Sequence, residues 1–285
     1  MRVVTDPTGS WEQAVLALRA DPTRQSLVRD GYYDDPLVDA ANRYWRSDEW
    51  RSIAQILPRS PGRALDVGAG RGIASYALAR TGFDVTALEP DPSAVVGAGA
   101  IRTLAREAAL TIDVVQEHSE RLPFVDGIFD LVFARAVLHH MRDLGAACRE
   151  FARVLKPGGR LVAVREHVIS RPDHLQAFLD HHPLHRLYGG EHAYLLSQYV
   201  SAIESAGLRL RSVVAPLESP INFAPHTEVS LRAEVASRAG RRLPGGASWL
   251  RGFLARDAVW RPTRWLLGKI DDRPGRLYSF VAHKA

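Results

Sequence analysis

The sequence has one cysteine, Cys148, in 285 residues. That excludes an intramolecular disulfide and a metal site built from cysteines alone. Cys148 stands ahead of a Lys-Pro-Gly-Gly turn and reads as helix packing. No apolar run of about 18 or more residues occurs, so no membrane-spanning helix is expected. The opening MRVVTDPTGSWEQ has no signal-peptide apolar core. Together with the lone cysteine, this makes the expected location cytoplasmic. Lysine is scarce: Lys156, Lys269 and Lys284 stand among 37 lysines and arginines. A net charge of +5 would attract polyanions, but the basic residues are scattered and form no stripe for nucleic acid. No repeat or low-complexity tract is present. What the chain has in quantity is apolar side chain, 46% of residues. That is enough to build the core of one large domain, or of one domain with an elaborate cap.

The densest signal is residues 63–92, RALDVGAGRGIASYALARTGFDVTALEPDP. Ala64, Leu65 and Val67 form a short apolar strand. Gly68, Gly70 and Gly72 follow at alternate positions. Lacking Cβ atoms, they permit a sharp turn and let a ligand approach the backbone. Ile73, Tyr76, Ala77 and Leu78 have helical spacing, closed by Gly82 as a C-cap. Val85, Ala87 and Leu88 form a second strand ending at Glu89, where a carboxylate can accept hydrogen bonds from both hydroxyls of a ribose. A glycine turn alone is weak evidence. Strand, turn, helix, strand and acid in that order are far more specific. The dinucleotide fingerprint needs glycine or alanine at the sixth place of G-x-G-x-x-G, and counting from Gly68 that place holds Ile73. Asp66, just ahead of the glycines, would repel a pyrophosphate and suits a cation.

This D-x-G-x-G-x-G run, with RLPFVDGIFDLVFARAVLHHM and REFARVLKPGGRLVAV further on, resembles the class I S-adenosylmethionine (SAM)-dependent methyltransferases. The likeness covers residues 45–167 well and the rest loosely. It implies SAM as cofactor, with Asp66, Gly68, Gly70 and Gly72 at the methionine end and Glu89 on the ribose. Pro90 lines the adenine and Arg135 borders the sulfonium. The family usually places an acid before its Leu-Pro-Phe segment to meet the adenine amino group. Here His118 occupies that place, so His118, the backbone of Ser119 or Glu117 serves instead. Family members that methylate exocyclic amines of nucleic acids carry an Asn/Asp-Pro-Pro-aromatic run after the fourth strand. Here Phe133-Ala134-Arg135-Ala136 stands there, so a small-molecule acceptor is expected and nucleic acid is not.

Strands are expected at 63–67, 84–88, 112–116, 129–134, 160–166, 208–215 and 276–283, and helices at 72–81, 93–108, 143–155 and 194–206. This alternation implies an α/β fold with a mostly parallel, seven-stranded Rossmann-like sheet between two layers of helices. The last two strands form an antiparallel edge pair, as in the resembled family. The expected organisation has N-terminal helices over the site (1–60) and a SAM-binding core (61–167). A histidine-rich insert with a helix and the sixth strand (168–215), a helical cap (216–275) and the final strand (276–285) follow. A structureless stretch as long as 216–275 is improbable, so cap helices are placed near 228–239, 247–257 and 260–269. Ligands of such sheets bind beyond the carboxyl ends of the strands. Acceptor selectivity is expected from the insert, the cap and the N-terminal helices.

Transfer of a methyl group to oxygen or nitrogen benefits from a base that takes the acceptor's proton. Imidazoles are concentrated at the right end of the sheet: His139 and His140 after the fourth strand, His167 after the fifth, and His181, His182, His185 and His192 in the insert DHHPLHRLYGGEHAY. His167, His182, His185 and His139 are the candidates for base or acceptor positioning. The HPLH…YGGE…AY segment resembles one subgroup of the family. With Glu166 or His167, the pair His181 and His185 would make a metal-ligand set. Pro183 between them argues against a shared helix face, so no metal is expected.

Trp249, Trp260 and Trp265 lie among arginines in WLRGFLARDAVWRPTRWLLGK. They suit either a cap core or a basic surface for lipid, and the core reading is preferred. Tyr32, Tyr33, Tyr44 and Trp45 either cover the cofactor or pack helices. The expected activity is SAM-dependent methylation of a small or medium organic molecule, such as a sugar or natural-product intermediate, with oxygen as the first choice of acceptor. Two rivals stand beside it: a SAM-binding protein of the same fold that transfers no methyl, and a nicotinamide-dependent oxidoreductase.

Overall fold

A computed structural model describes residues 9–241 and 246–285. Expectations for residues 1–8 and 242–245 lie outside the described residues. Four helices come first: α1 (Trp11–Ala20), α2 (Gln25–Asp30), α3 (Leu37–Trp45) and α4 (Asp48–Ala54). Each start has a local cause where a side chain supplies one. Ser10 and Gln13 form a capping box on α1, and Ser47 accepts from the Trp50 amide at the start of α4. Residues 31–36 separate α2 from α3.

The alternating core follows as β1 (Arg63–Val67), α5 (Ile73–Arg80), β2 (Asp84–Leu88), α6 (Ala98–Glu107), β3 (Ile112–Val115), β4 (Phe129–Arg135), α7 (Leu144–Val154) and β5 (Leu155–Ile169). The insert holds α8 (His174–His181), α9 (His185–Tyr188) and a short β6 (Tyr194–Leu195). Then come α10 (Leu196–Ser205), β7 (Leu208–Val214), α11 (Pro220–Phe223), α12 (Glu228–Gly240), α13 (Gly246–Leu254), α14 (Asp257–Ile270) and β8 (Arg276–Lys284).

The sheet runs β3-β2-β1-β4-β5-β8-β7, with β6 pairing to β5. β8 is antiparallel to both β5 and β7, and the other pairings are parallel. Strand order reverses between β1 and β4, which opens a crevice at their carboxyl ends. One face of the sheet is closed by α7 and α10, through Phe151, Cys148 and Tyr199. The other is closed by α3, α4, α5 and α6, through Tyr44, Trp50, Leu78 and Leu104.

Four details depart from the sequence reading. The two-residue β6 brings the strand count to eight. α6 starts at Ala98, not near 93, because Ser93 Oγ accepts from the amides of Val95 and Val96 and holds a turn that competes with helix. β5 begins at Leu155, paired with Phe129, and residues 156–159 bulge out before Arg160 pairs with Leu131. Of the three cap tryptophans only Trp260 is buried. Trp249 and Trp265 are 64% and 65% exposed.

A second irregularity in β5 bears on the site. Ala163 faces Phe280 but Glu166 faces Tyr278, one residue more on β5 than on β8. Arg165 sits in this bulge with φ +63°. Such a bulge re-aims the side chains that follow it, here Glu166 and His167. The helices α12–α14 build their own small core around Trp260, Leu231 and Leu254. Among the described residues they supply none to the main cavity, contrary to the expectation that the cap helps line it. No helix among the described residues is long and apolar enough to cross a membrane.

Candidate active site

A cavity of about 890 Å³ opens at the carboxyl ends of β1, β2, β4 and β5. Its first wall is the turn between β1 and α5. Gly68 and Gly70 have φ values of +59° and +54°, a left-handed conformation that side chains with a Cβ disfavour. A Cβ on Gly68 would lie 2.8 Å from Val137 Cγ1. Asp66 ends this wall, 1% exposed, and accepts from Ser75 Oγ at 2.6 Å. Burial, with the nearby Glu89 charge adding to it and the Ser75 bond opposing, pushes its pKa up to about 7. Glu89 at the end of β2 accepts from the amides of Gly70 at 2.7 Å and Asp91 at 3.0 Å. Burial raises its pKa as well.

Pro90, His118, Ser119 and Arg135 also line the cavity, as expected. Gly72 does not: its left-handed turn packs under Ile101. Ser119 Oγ bonds to Met141 Sδ at 2.8 Å, leaving its backbone for a ligand. Arg135 is held by Glu49 of α4 at 2.7 and 3.2 Å and lies over the rings of Tyr32 and Tyr44. A guanidinium beside a sulfonium site would repel it, and Glu49 offsets that charge. Arg71, the cation of the glycine turn, is committed to the carbonyls of Tyr32, Asp34 and Val95 and to Asp35. No cation in the turn is left for a phosphate, while two acids face the cavity. The donor set fits SAM, with its two cationic centres and no phosphate.

Trp11, Tyr32 and Tyr33 of the N-terminal segment cover this end. Trp11 reaches within 3.2 Å of where a Gly70 Cβ would be. Tyr44, by contrast, is wholly buried in the core.

The other end of the cavity is lined by His139, His140, His167, His182, Tyr188 and Glu191. Three of these imidazoles have their Nδ1 tied to groups that only accept. His139 Nδ1 is 2.8 Å from Glu166 Oε2, His140 Nδ1 is 2.9 Å from the Gly190 carbonyl, and His167 Nδ1 is 2.7 Å from the Gly275 carbonyl. Each Nδ1 therefore carries a proton, and each Nε2 presents a lone pair when neutral. His139 Nε2 and His140 Nε2 lie 3.4 and 3.7 Å from Glu191 Oε2. Burial opposes charge on His139, but bonds to Glu166 and Glu191 outweigh it and raise its pKa to about 9. Burial raises Glu191, yet the His139 bond and the neighbouring imidazoles bring it down to about 2. Burial, then the charge of His139, holds His140 and His167 below the ordinary imidazole range.

His167, His182 and His139 are thus brought together as expected, and His185 is not. His185 lies on α9 outside the lining, and only its backbone amide reaches His182, at Nδ1 and 3.3 Å. His181 is exposed and bonds to its own helix at the Ala177 carbonyl. The sequence reading gave no role to Glu49 or Glu191 and named Glu166 only in a metal-ligand set; each is buried. The signal for Glu191 was its place in YGGEHAY. Nothing in α4 marked Glu49, which a first-turn acid reading explains equally well.

A family model described as a methyltransferase domain matches residues 65–163. The chain is 35% identical over 153 residues to a demethylmenaquinone methyltransferase of Mycolicibacterium vanbaalenii, covering 51% of this chain and 61% of the relative. It is 33% identical over 140 residues to a ubiquinone biosynthesis O-methyltransferase of Xanthomonas oryzae, covering 45% and 57%. The match thus spans about three-fifths of these relatives' length. In structure it is similar to a geranyl diphosphate C-methyltransferase of Streptomyces coelicolor solved with S-adenosyl-L-homocysteine. That likeness has a TM-score of 0.57 and 16% identity, over 99% of this chain and 87% of that one, and it shows a shared fold. Residues 65–163 thus match a methyltransferase domain, and the chain is similar to methyltransferases in sequence over this core and in fold.

Proposed function

We propose that the chain is an enzyme that moves the SAM methyl group to an oxygen of a small organic acceptor. One observation carries this reading: a single cavity holds the acid-flanked glycine turn at one end and an imidazole cluster at the other. A volume of about 890 Å³ lies near the top of the usual range for small-ligand pockets. It leaves room for an acceptor beside the cofactor.

The chemistry is a direct displacement. Bound SAM would supply a sulfonium-activated methyl group, which the acceptor oxygen would take as the methyl–sulfur bond breaks, leaving a neutral thioether. The hydroxyl proton passes to an imidazole Nε2. His140 and His167 qualify by geometry, since their Nδ1–H groups are tied to carbonyls. The protein contributes alignment and exclusion of water, through the N-terminal aromatics on one side and the insert on the other.

For the acceptor, the relatives' names bring in quinone-type rings, and Tyr33, Leu184 and Tyr188 in the lining suit a planar ring. We therefore favour a hydroxylated ring over a sugar. The experiment is incubation with methyl-labelled SAM, a panel of hydroxylated rings and cell extract, read by mass spectrometry. Label on an acceptor oxygen is the expected result. Tight SAM binding with label on no acceptor would favour the reading of a SAM-binding protein without transfer. Binding of NAD in place of SAM would overturn the proposal.

A further inference from the structure

We propose that His139, His167 and Glu191 hold one divalent metal ion of the zinc, cobalt or iron(II) kind at the acceptor end of the cavity. The ligand atoms of these three residues all lie within 4.8 Å of one another. Around a zinc ion, ligands at ~2.0–2.2 Å stand about 3–3.6 Å apart. His139 Nε2 and Glu191 Oε2 are already at that spacing, 3.4 Å. The rings of His139 and His167 are 4.7 Å apart at 72°, which sets both imidazoles beside the same carboxylate.

Both imidazoles carry the outer support that metal ligands need. His139 gives its Nδ1–H to Glu166 and His167 gives its own to the Gly275 carbonyl. These bonds fix the tautomers with Nε2 lone pairs toward Glu191 and raise ligand basicity. The arrangement creates an electrostatic need. His139 Nε2 and Glu191 Oε2 are buried and face to face at 3.4 Å. A positive charge belongs between them. A proton on His139 serves, but a metal ion would also use the ligand atom of His167, which lies within 4.8 Å of the other two.

Two imidazoles and one carboxylate form the face that borderline transition metals favour, while magnesium and calcium prefer all-oxygen sets. All three residues line the cavity that an acceptor hydroxyl would enter. Any catalytic use of the ion rests on the methyl-transfer reading, but the binding of the ion does not.

The test is a titration of the full-length, chelator-dialysed protein with cobalt(II), read by visible absorption, and with zinc(II), read by calorimetry. One equivalent per chain is expected. Glu191→Gln and His167→Asn are expected to weaken binding by at least about 100-fold, and Glu166→Gln by about 10–100-fold. SAM affinity, measured on each variant, should stay within about twofold and so report intact folding. No saturable cobalt or zinc binding by the wild type overturns the proposal, and so does wild-type affinity in both ligand variants. Stoichiometric metal without methyl transfer would leave the site standing and remove the proposed activity. Transfer at full rate by chelated protein that binds no metal would do the reverse.

Discussion

Glu166 Oε2 lies 2.8 Å from His139 Nδ1 and 3.1 Å from the backbone amide of the same residue. Its other oxygen takes the Val137 amide at 3.1 Å. One buried carboxylate thus fixes both the imidazole and the turn that presents it. Replacing it with alanine strands three buried donors. Glu166→Ala is expected to lower unfolding free energy by about 3–5 kcal/mol. Glu166→Gln, which keeps an acceptor oxygen, should lose about 1–3 kcal/mol. Urea denaturation followed by circular dichroism measures both, and an alanine variant with the wild-type midpoint would contradict this role.

Glu49 plays a matching part on the other face. It binds Arg135 in a two-point pair and lies 3.8 Å from Arg165. Its side chain is 1% exposed. Glu49→Ala leaves two guanidinium groups without their carboxylate, at an expected cost of about 3–5 kcal/mol. The double change Glu49→Leu with Arg135→Met removes one of the two stranded charges and should recover part of that stability. If the double variant is no more stable than Glu49→Ala, the pair is not what holds α4 to β4.

The cap offers a contrast between two tryptophans on one helix. Trp260 is fully buried and its indole N–H donates to Glu228. Trp265 is 65% exposed. Trp260→Ala is expected to cost about 3–5 kcal/mol and Trp265→Ala no more than ~0.5 kcal/mol. Limited proteolysis will show the difference as early cleavage of α12–α14 in the first variant alone.

The cradle was legible because local rules fix it. A strand buried on both faces, a turn needing left-handed backbone and an acid at a strand end leave residue-level marks, and Asp66, Gly68, Gly70 and Glu89 were readable from them. The acceptor end was legible only as a concentration of imidazoles. Which of them converge depends on the β5 bulge at Arg165 and on the fold of the insert, and neither has a sequence mark of its own. His185 was misplaced because spacing in a chain broken by Pro183 does not say which face α9 turns inward. The tryptophans of α13 and α14 were misread for a related reason. Arginine-rich helices bury or expose a tryptophan according to a tertiary partner that the pattern does not name.

Asp66 is expected to link cofactor binding to pH. Its unfolded carboxyl titrates near 3.8, and burial first, then the Glu89 charge, carries the folded value to about 7. The folded chain therefore holds this proton more tightly than the unfolded one. The stability it contributes is complete below about pH 3.8 and is lost as pH rises toward 7. A bound SAM reverses the preference, because its cationic groups favour the ionised carboxylate. Binding near pH 6 should then release close to one proton per SAM, and the apparent Kd should tighten by up to about tenfold per unit between about pH 5 and 7. Calorimetry in two buffers of different ionisation enthalpy counts the proton directly. Asp66→Asn should bind SAM more weakly and show neither the release nor the slope. Proton release of wild-type size in Asp66→Asn would assign the linkage to another group and remove Asp66 from the cofactor's charge balance.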